Sequence, residues 1–419
     1  MTSSYDRVQT TLGHNEPDRV PIDFGGSTVT GMHVSCVAAL RRHYGLEAGP
    51  VKVIDPGQML GEIGDDLKKI LGVDIEGVIR RTTRYGFRLE GWKPFRMYDG
   101  LEVLVPRDFN TTVDDHGDTL LYPQGDLTAQ PSAKMPRGGH FFDAIVRQEP
   151  IDEERLDPRD NLEEFSPISV EELDYLEAET KRARSTGRAV MASFGGTAFG
   201  DISHVPGAGL KHPRGIRDVT EWYISTRTRQ DYVRRVFEGQ CEIALNNLER
   251  IGPRTRDCVD VVNVCGTDFG TQSSSFCSVD TFRELWMPYY RQINDWIHRN
   301  TGWKTFKHSC GAIAKFIDAF IEAGFDILNP VQCSAAGMDP ENLKKVWGKR
   351  IAFWGGGIDT QQVLPFGTPA QVREQVLRRC EVFARGGGFV FNSVHNVQAG
   401  TPVENIVAMI DAVHEFRDR

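Results

Sequence analysis

The chain reads as an α/β protein, a (β/α)8 barrel of the TIM type carrying an antiparallel β-hairpin insertion, and three observations predict it. From about residue 165 onward, short apolar runs alternate with segments of helical period, the pattern of repeated βα units around a parallel sheet. Each apolar run ends near Gly, Asp, Asn or Ser, and several of the helices that follow open with explicit start signals. No G-x-G-x-x-G motif follows an early strand, so the competing doubly wound open sheet has no dinucleotide fingerprint behind it.

Taken in chain order, the stretch from Tyr98 to Asp143 departs from this rhythm. DG, HGD and RGG turns separate short alternating stretches such as Leu101-Glu102-Val103-Leu104-Val105 and Thr119-Leu120-Leu121-Tyr122, which predicts an excursion of antiparallel hairpins. Asn161 to Thr186 is charged and helical in pattern, and connects that excursion to the barrel. The predicted strands are Ala189 to Phe194, Val259 to Cys265, Thr305 to Cys310, Phe325 to Val331, Ile351 to Trp354 and Phe389 to Ser393. Thr401-Pro402-Val403-Glu404 places a hydroxyl at N-cap, Pro at N1 and Glu at N3, a capping box opening a helix through Phe416. Thr368-Pro369-Ala370-Gln371 repeats the device for a helix through Ala384, and Asp339-Pro340 offers a similar cap upstream. The glycine runs at 355–357 and 386–388 read as tight turns that need positive φ. The expectation is one domain over 1–419 with a β excursion at about 98–143.

Bulk properties narrow the partners. With 40% hydrophobic and 26% charged residues and a formal charge of −9, the 419-residue chain has globular composition and no electrostatic footprint for nucleic acid or an acidic membrane. The N-terminus lacks a basic segment followed by an apolar one, and no run of about 18 apolar residues occurs, so a cytoplasmic location is expected. Eight cysteines, at 36, 241, 258, 265, 277, 310, 333 and 380, lack the density and spacing of a disulfide framework.

Cys310 differs from the rest because of its neighbour in Lys307-His308-Ser309-Cys310-Gly311. In an extended segment, residues i and i+2 face the same way, so His308 and Cys310 can reach one ion, half of a zinc site. The competing reading is a buried strand histidine beside an ordinary core cysteine. In a barrel, polar residues at the C-terminal ends of the strands converge, which gathers Asp268, His308, Cys310, Asn329, Gln332, Asp359, His395 and Asn396. A second imidazole, His395, facing His308 across the mouth would make a His, Cys, His set with one coordination position open, the arrangement of catalytic zinc. His395 could instead hold an anionic substrate group or a loop. Asp268 is assigned a catalytic role, with contact to the metal as a fourth ligand, helix capping or bracing of a ligand as alternatives. Cys265 and Gln332 are further candidates near the metal, and Asn329, Gln332 and Asn396 are expected to contact substrate. Asp359 precedes an apparent helix start, where capping is its default duty.

Several strings carry a resemblance: Thr305 through Gly311, Ile321-Glu322-Ala323-Gly324-Phe325-Asp326-Ile327-Leu328-Asn329-Pro330, Phe353-Trp354-Gly355-Gly356, His395 with the Thr401 cap, and the opening Glu16-Pro17-Asp18-Arg19-Val20-Pro21. In these the last third of the chain resembles the uroporphyrinogen decarboxylase-like superfamily, and in particular its zinc- and corrinoid-dependent methyltransferases. The resemblance implies a (β/α)8 barrel, a zinc ion on His308 and Cys310 with His395 at the later ligand position, a corrinoid (cobalamin) methyl carrier on a partner protein, and a homodimer. It also implies two chemistries. Decarboxylases of this superfamily use no metal and hold substrate carboxylates with an arginine-rich stretch near the N-terminus, where this chain has Asp23-Phe24-Gly25-Gly26-Ser27. Losing those arginines would leave substrate carboxylates without charge-assisted partners. The expected function is therefore zinc-dependent methyl transfer between a methylated small molecule, such as an aryl methyl ether, and a corrinoid. The alternatives are a thiol-directed methyltransferase, a metal-free decarboxylase and a non-catalytic binding barrel. Two imidazoles and one thiolate would leave the ion with a formal charge of about +1, a stronger Lewis acid than a site with two thiolates.

Overall fold

The computed structural model describes residues 2–47, 49–194 and 199–417. Seven parallel strands form one sheet in sequential order: β1 (Ile75–Val78), β2 (Ala189–Ala192), β3 (Val261–Cys265), β4 (Lys304–His308), β5 (Ile327–Asn329), β6 (Ala352–Trp354) and β7 (Phe389–Val390). The sheet curls until its edges meet on the segment 21–24. Phe391 N donates to Pro21 O at 2.8 Å and Asp23 N to Phe391 O at 2.9 Å on one side, and Asp74 N donates to Ile22 O at 2.8 Å on the other. An extended N-terminal segment thus takes the eighth place and leaves no free edge there. Six of the seven strands coincide with the apolar runs of the sequence. β1 and the closing segment do not, because Glu76, Asp74 and Asp23 interrupt their apolar character. Glu76 is nonetheless buried, held by Lys68 at 2.9 Å and Arg188 at 3.2 Å.

Inward-facing residues of alternate register, among them Ile75, Met191, Val261, Phe306, Ile327, Trp354 and Val390, fill the interior. Val8 and Leu12 join them from the helix Ser4–Leu12, which plugs the N-terminal end of the barrel. Chemistry is thereby confined to the opposite, C-terminal end.

The helix Pro369–Phe383 opens with the predicted capping box, and Asp339 accepts from Asn342 N to start Pro340–Trp347. The third cap is built differently. That helix runs Val403–Arg417, and the Thr401 hydroxyl donates at 2.8 Å to the Gln398 carbonyl, one turn back. The glycine runs behave as the turns expected of them: at Gly387 φ is +74°, and a Cβ would lie 2.1 Å from the Asn15 carbonyl.

The excursion begins slightly earlier than the turn signals suggest. Lys93–Arg96 pairs antiparallel with Glu102–Val105, and a four-stranded antiparallel sheet follows from Thr111–Val113, Thr119–Leu121, Ala133–Met135 and Asp143–Ala144. Between it and β2 only Val170–Ser185 of the charged stretch is α-helical, and the Ser169 side chain caps it. No helix among the described residues is long and apolar enough to cross a membrane.

Candidate metal centre

β4 ends on His308, and the chain then turns so that Cys310 projects beside it. The Cys310 Sγ lies 3.5 Å from His308 Nε2. His395, in the loop after β7, brings its ring to 5.3 Å from that of His308, centroid to centroid, at an interplanar angle of 73°. One ligand atom from each of the three lies within 4.8 Å of the others. Tetrahedral zinc with N and S ligands needs donor separations of about 3.3–3.8 Å, so side-chain adjustment of roughly an ångström would close the set.

The surroundings fix the orientation of these groups. Asn329, the last residue of β5, is fully buried and its Oδ1 lies 2.6 Å from His308 Nδ1. Its Nδ2 donates at 2.9 Å to the Trp354 carbonyl, so the oxygen must face the histidine. His308 Nδ1 therefore carries the hydrogen, and Nε2 turns its lone pair toward Cys310 and His395. The Cys310 amide donates at 2.7 Å to Asp268 Oδ1, which also lies 4.0 Å from His308 Nε2. Gly311 follows with φ +88°, and a Cβ there would come within 2.4 Å of the Gly270 backbone, so only glycine lets the two loops cross.

Electrostatics keep both imidazoles neutral. Burial pushes the pKa of His308 and that of His395 down to about 4. Burial, reinforced by the nearby Asp268 carboxylate, holds the Cys310 thiol well above its ordinary value. Asp268 is itself raised by burial, against the hydrogen bond from the Cys310 amide. Two neutral nitrogen donors and a thiol whose ionisation needs a cation form a donor set that suits a thiophilic divalent metal.

Comparison with known proteins bears on this arrangement. Residues 258–416 match the family model for uroporphyrinogen decarboxylase (URO-D), a span that includes His308, Cys310 and His395. A uroporphyrinogen decarboxylase of Neisseria meningitidis serogroup C is 24% identical over 269 residues, 62% of this chain and 69% of that protein. Over these spans the chain is similar to the uroporphyrinogen decarboxylase-like superfamily. A uroporphyrinogen decarboxylase of Methylococcus capsulatus is 31% identical over 102 residues, which is 24% of this chain and 27% of the relative, so the match spans about a quarter of that protein's length. Among solved structures, a methyltransferase from Methanosarcina mazei shares the fold over 99% of both chains, with a TM-score of 0.55 at 13% identity.

Within the barrel the remaining predicted residues fall in different places. Asn329 positions His308, and both ends of its amide are occupied by protein. Gln332 accepts from Gly311 N at 2.8 Å and donates to Gln272 Oε1 at 2.8 Å, bracing the loop behind Cys310. Asn396 is fully buried, accepting from Gly31 N at 2.6 Å and donating to Thr28 O and Gln58 Oε1, which ties the loop after β7 to the N-terminal segment. All three expected substrate contacts thus make hydrogen bonds within the protein that brace neighbouring loops. Cys265 stands apart from the cluster, with its sulfur 2.7 Å from the Tyr290 hydroxyl. Asp359 caps the turn at Gln361 and Gln362.

Two features escaped the sequence reading. Lys307 is fully buried, and its Nζ donates to the Thr267 carbonyl at 2.7 Å and the His308 carbonyl at 2.5 Å while lying 5.2 Å from the Phe269 ring centroid. It pins the loop carrying Asp268 to the strand end carrying His308. The second is a cavity of about 170 Å³ over the ends of β1, β2 and β3, lined by Arg80, Ser193, Asp201, His204, Asn263 and Cys265 among others. A larger cavity of about 760 Å³, bounded by Met338, Phe366, Gln371 and Arg379, touches none of the candidate ligands.

Proposed function

We propose that this protein is a zinc-dependent methyltransferase that moves a methyl group between a methylated small molecule, such as an aryl methyl ether, and a corrinoid carried by a partner protein. The observation that carries the reading is the convergence of His308, Cys310 and His395 at the barrel mouth, with ligand atoms within 4.8 Å of one another and the far nitrogen of His308 fixed by Asn329. When bound there, zinc supplies Lewis acidity toward the heteroatom from which the methyl group departs. The chain's own residues do the rest. Asn329 holds the His308 tautomer, Asp268 and Gln332 shape the turn that presents Cys310, and Asp268 keeps one carboxylate oxygen within 4.0 Å of His308 for a proton or a polar substrate group. In this reading the protein is cytoplasmic, works with a corrinoid protein and forms a homodimer.

Metal-free decarboxylation is the competing reading, favoured by the decarboxylase relatives. Against it stands Asp23. Where the decarboxylases hold arginines for substrate carboxylates, this chain has a buried carboxyl that accepts from Trp354 Nε1 at 2.9 Å and Gly26 N at 2.8 Å. Metal content by mass spectrometry of the wild type and of His308→Ala, Cys310→Ala and His395→Ala tests the proposal. Near one zinc per chain, lost in all three variants, is expected. Zinc retained in His395→Ala alone makes that histidine a substrate contact, and a folded wild type that takes up no zinc overturns the proposal.

A further inference from the structure

Among the described residues, the Arg80 guanidinium makes no hydrogen bond or ion pair, although it is only partly exposed and lines the cavity over β1 to β3. The acid whose charge acts on it, Glu172, accepts instead from the Arg81 amide at 3.2 Å. Two further polar atoms facing this cavity's lining are buried without a partner: the Ser193 hydroxyl and the Asn263 side-chain oxygen. Buried polar groups in folded proteins are nearly always satisfied, so two unmet buried atoms beside an unpaired, partly exposed arginine on one cavity point to something that enters it. The other charges there are already engaged. Asp55 lies 3.7 Å from Arg84, and the Asp201 carboxylate accepts from Ser203 N at 2.9 Å and Gly266 N at 3.1 Å. Arg80 is left as the cation without a counterpart.

The cavity belongs to the same end of the barrel as the candidate metal ligands. Asn263 pairs with Phe306 across β3 and β4, and Phe306 shares the inward face with His308 two residues on. At about 3.3 Å per residue and 4.8 Å between strands, Asn263 lies on the order of 8 Å from His308. Asp201 is near enough for its charge to act on both His308 and Asp268.

We propose that this cavity holds a carboxylate of the substrate, with Arg80 as its counter-ion and the Ser193 hydroxyl as a further donor, while the Asn263 oxygen is left to accept from a donor that enters with it. With the carboxylate held at the same end of the barrel as the candidate metal ligands, the substrate class is a methoxylated aromatic acid. The aromatic ether part of this inference rests on the methyl-transfer reading; the carboxylate site does not.

Isothermal titration of 4-methoxybenzoate and its uncharged counterpart 4-methoxybenzamide into the full-length protein, with zinc measured on the same preparations, tests it. The acid is expected to bind the wild type about tenfold or more tightly than the amide. Arg80→Met should remove that preference while leaving amide binding and zinc content unchanged, and Arg80→Lys should restore part of it. Equal binding of acid and amide, no binding of either, or an acid preference untouched in Arg80→Met overturns the carboxylate site, whatever the zinc content. An Arg80-dependent acid preference in a wild type that takes up no zinc would sustain the site while the methyl-transfer reading fails.

Discussion

Replacing Asn329 by leucine removes one buried side chain that serves two partners, and its consequences separate metal binding from folding. The 2.6 Å contact with His308 Nδ1 and the 2.9 Å bond to the Trp354 carbonyl both disappear. The histidine N–H and the carbonyl are then left buried and unmet at about 1–3 kcal/mol each, so the variant should lose roughly 2–6 kcal/mol of folding stability. Metal affinity responds for another reason. Without an acceptor at Nδ1 the imidazole is free to carry its proton on Nε2, the nitrogen facing Cys310 and His395, and to rotate away. Loss of such a partner typically weakens metal binding by about 10- to 100-fold, or about 1.4–2.7 kcal/mol. Competition against a chromogenic chelator at neutral pH measures the affinity, and denaturant unfolding with chelator present measures the stability of the metal-free protein. Wild-type zinc affinity in a folded Asn329→Leu protein would refute the idea that this asparagine orients His308, even if stability fell as expected.

Two further predictions concern buried charges. Arg217, whose side chain is 1% exposed, pairs with Glu164 at 2.6 Å and Glu163 at 3.2 Å, and burial raises the Glu164 pKa to about 6. Arg217→Met strands Glu164 without its cation and should cost about 3–5 kcal/mol in urea unfolding; a loss below about 1 kcal/mol would show that the pair is dispensable. Asp23 is fully buried and its pKa is raised to about 6 by burial, against the hydrogen bond from Trp354. A carboxyl whose folded pKa lies above its unfolded value of about 3.9 contributes stability that is full below pH 4 and is lost as pH rises through 6. Two units correspond to about 3 kcal/mol in all, of which about 2.3 kcal/mol is lost between pH 4 and pH 7, so the stability of wild type relative to Asp23→Asn should fall by about that much over this range. A flat difference across that range would mean that Asp23 is not the titrating group.

Much of the barrel was legible because its strands are buried on both faces and read as continuous apolar runs. The excursion was legible because its turns need Gly with Asp or His. β1 and the segment 21–24 were not, since each carries acids, and those acids are compatible with a buried strand only through partners distant in sequence. Asp74 is held by Arg7 at 2.8 Å and Arg19 at 2.7 Å, and Asp23 by Trp354. No local pattern announces such partners.

The same division runs through the site. Sequence alone determined that His308 and Cys310 share a face, because side-chain direction in an extended segment has a period of two. It also determined which residues end the strands, and so which side chains stand near the barrel mouth. Tertiary structure decided what those side chains do. It brought His395 to within a ring's width of His308, and it gave Asn329, Gln332 and Asn396 hydrogen bonds to groups from other parts of the chain that the sequence does not announce. It left the Ser193 hydroxyl and the Asn263 oxygen unmet over a cavity that Arg80 also lines. Whether a buried polar group is satisfied depends on the geometry of everything around it, a quantity that exists only once the chain has closed on itself.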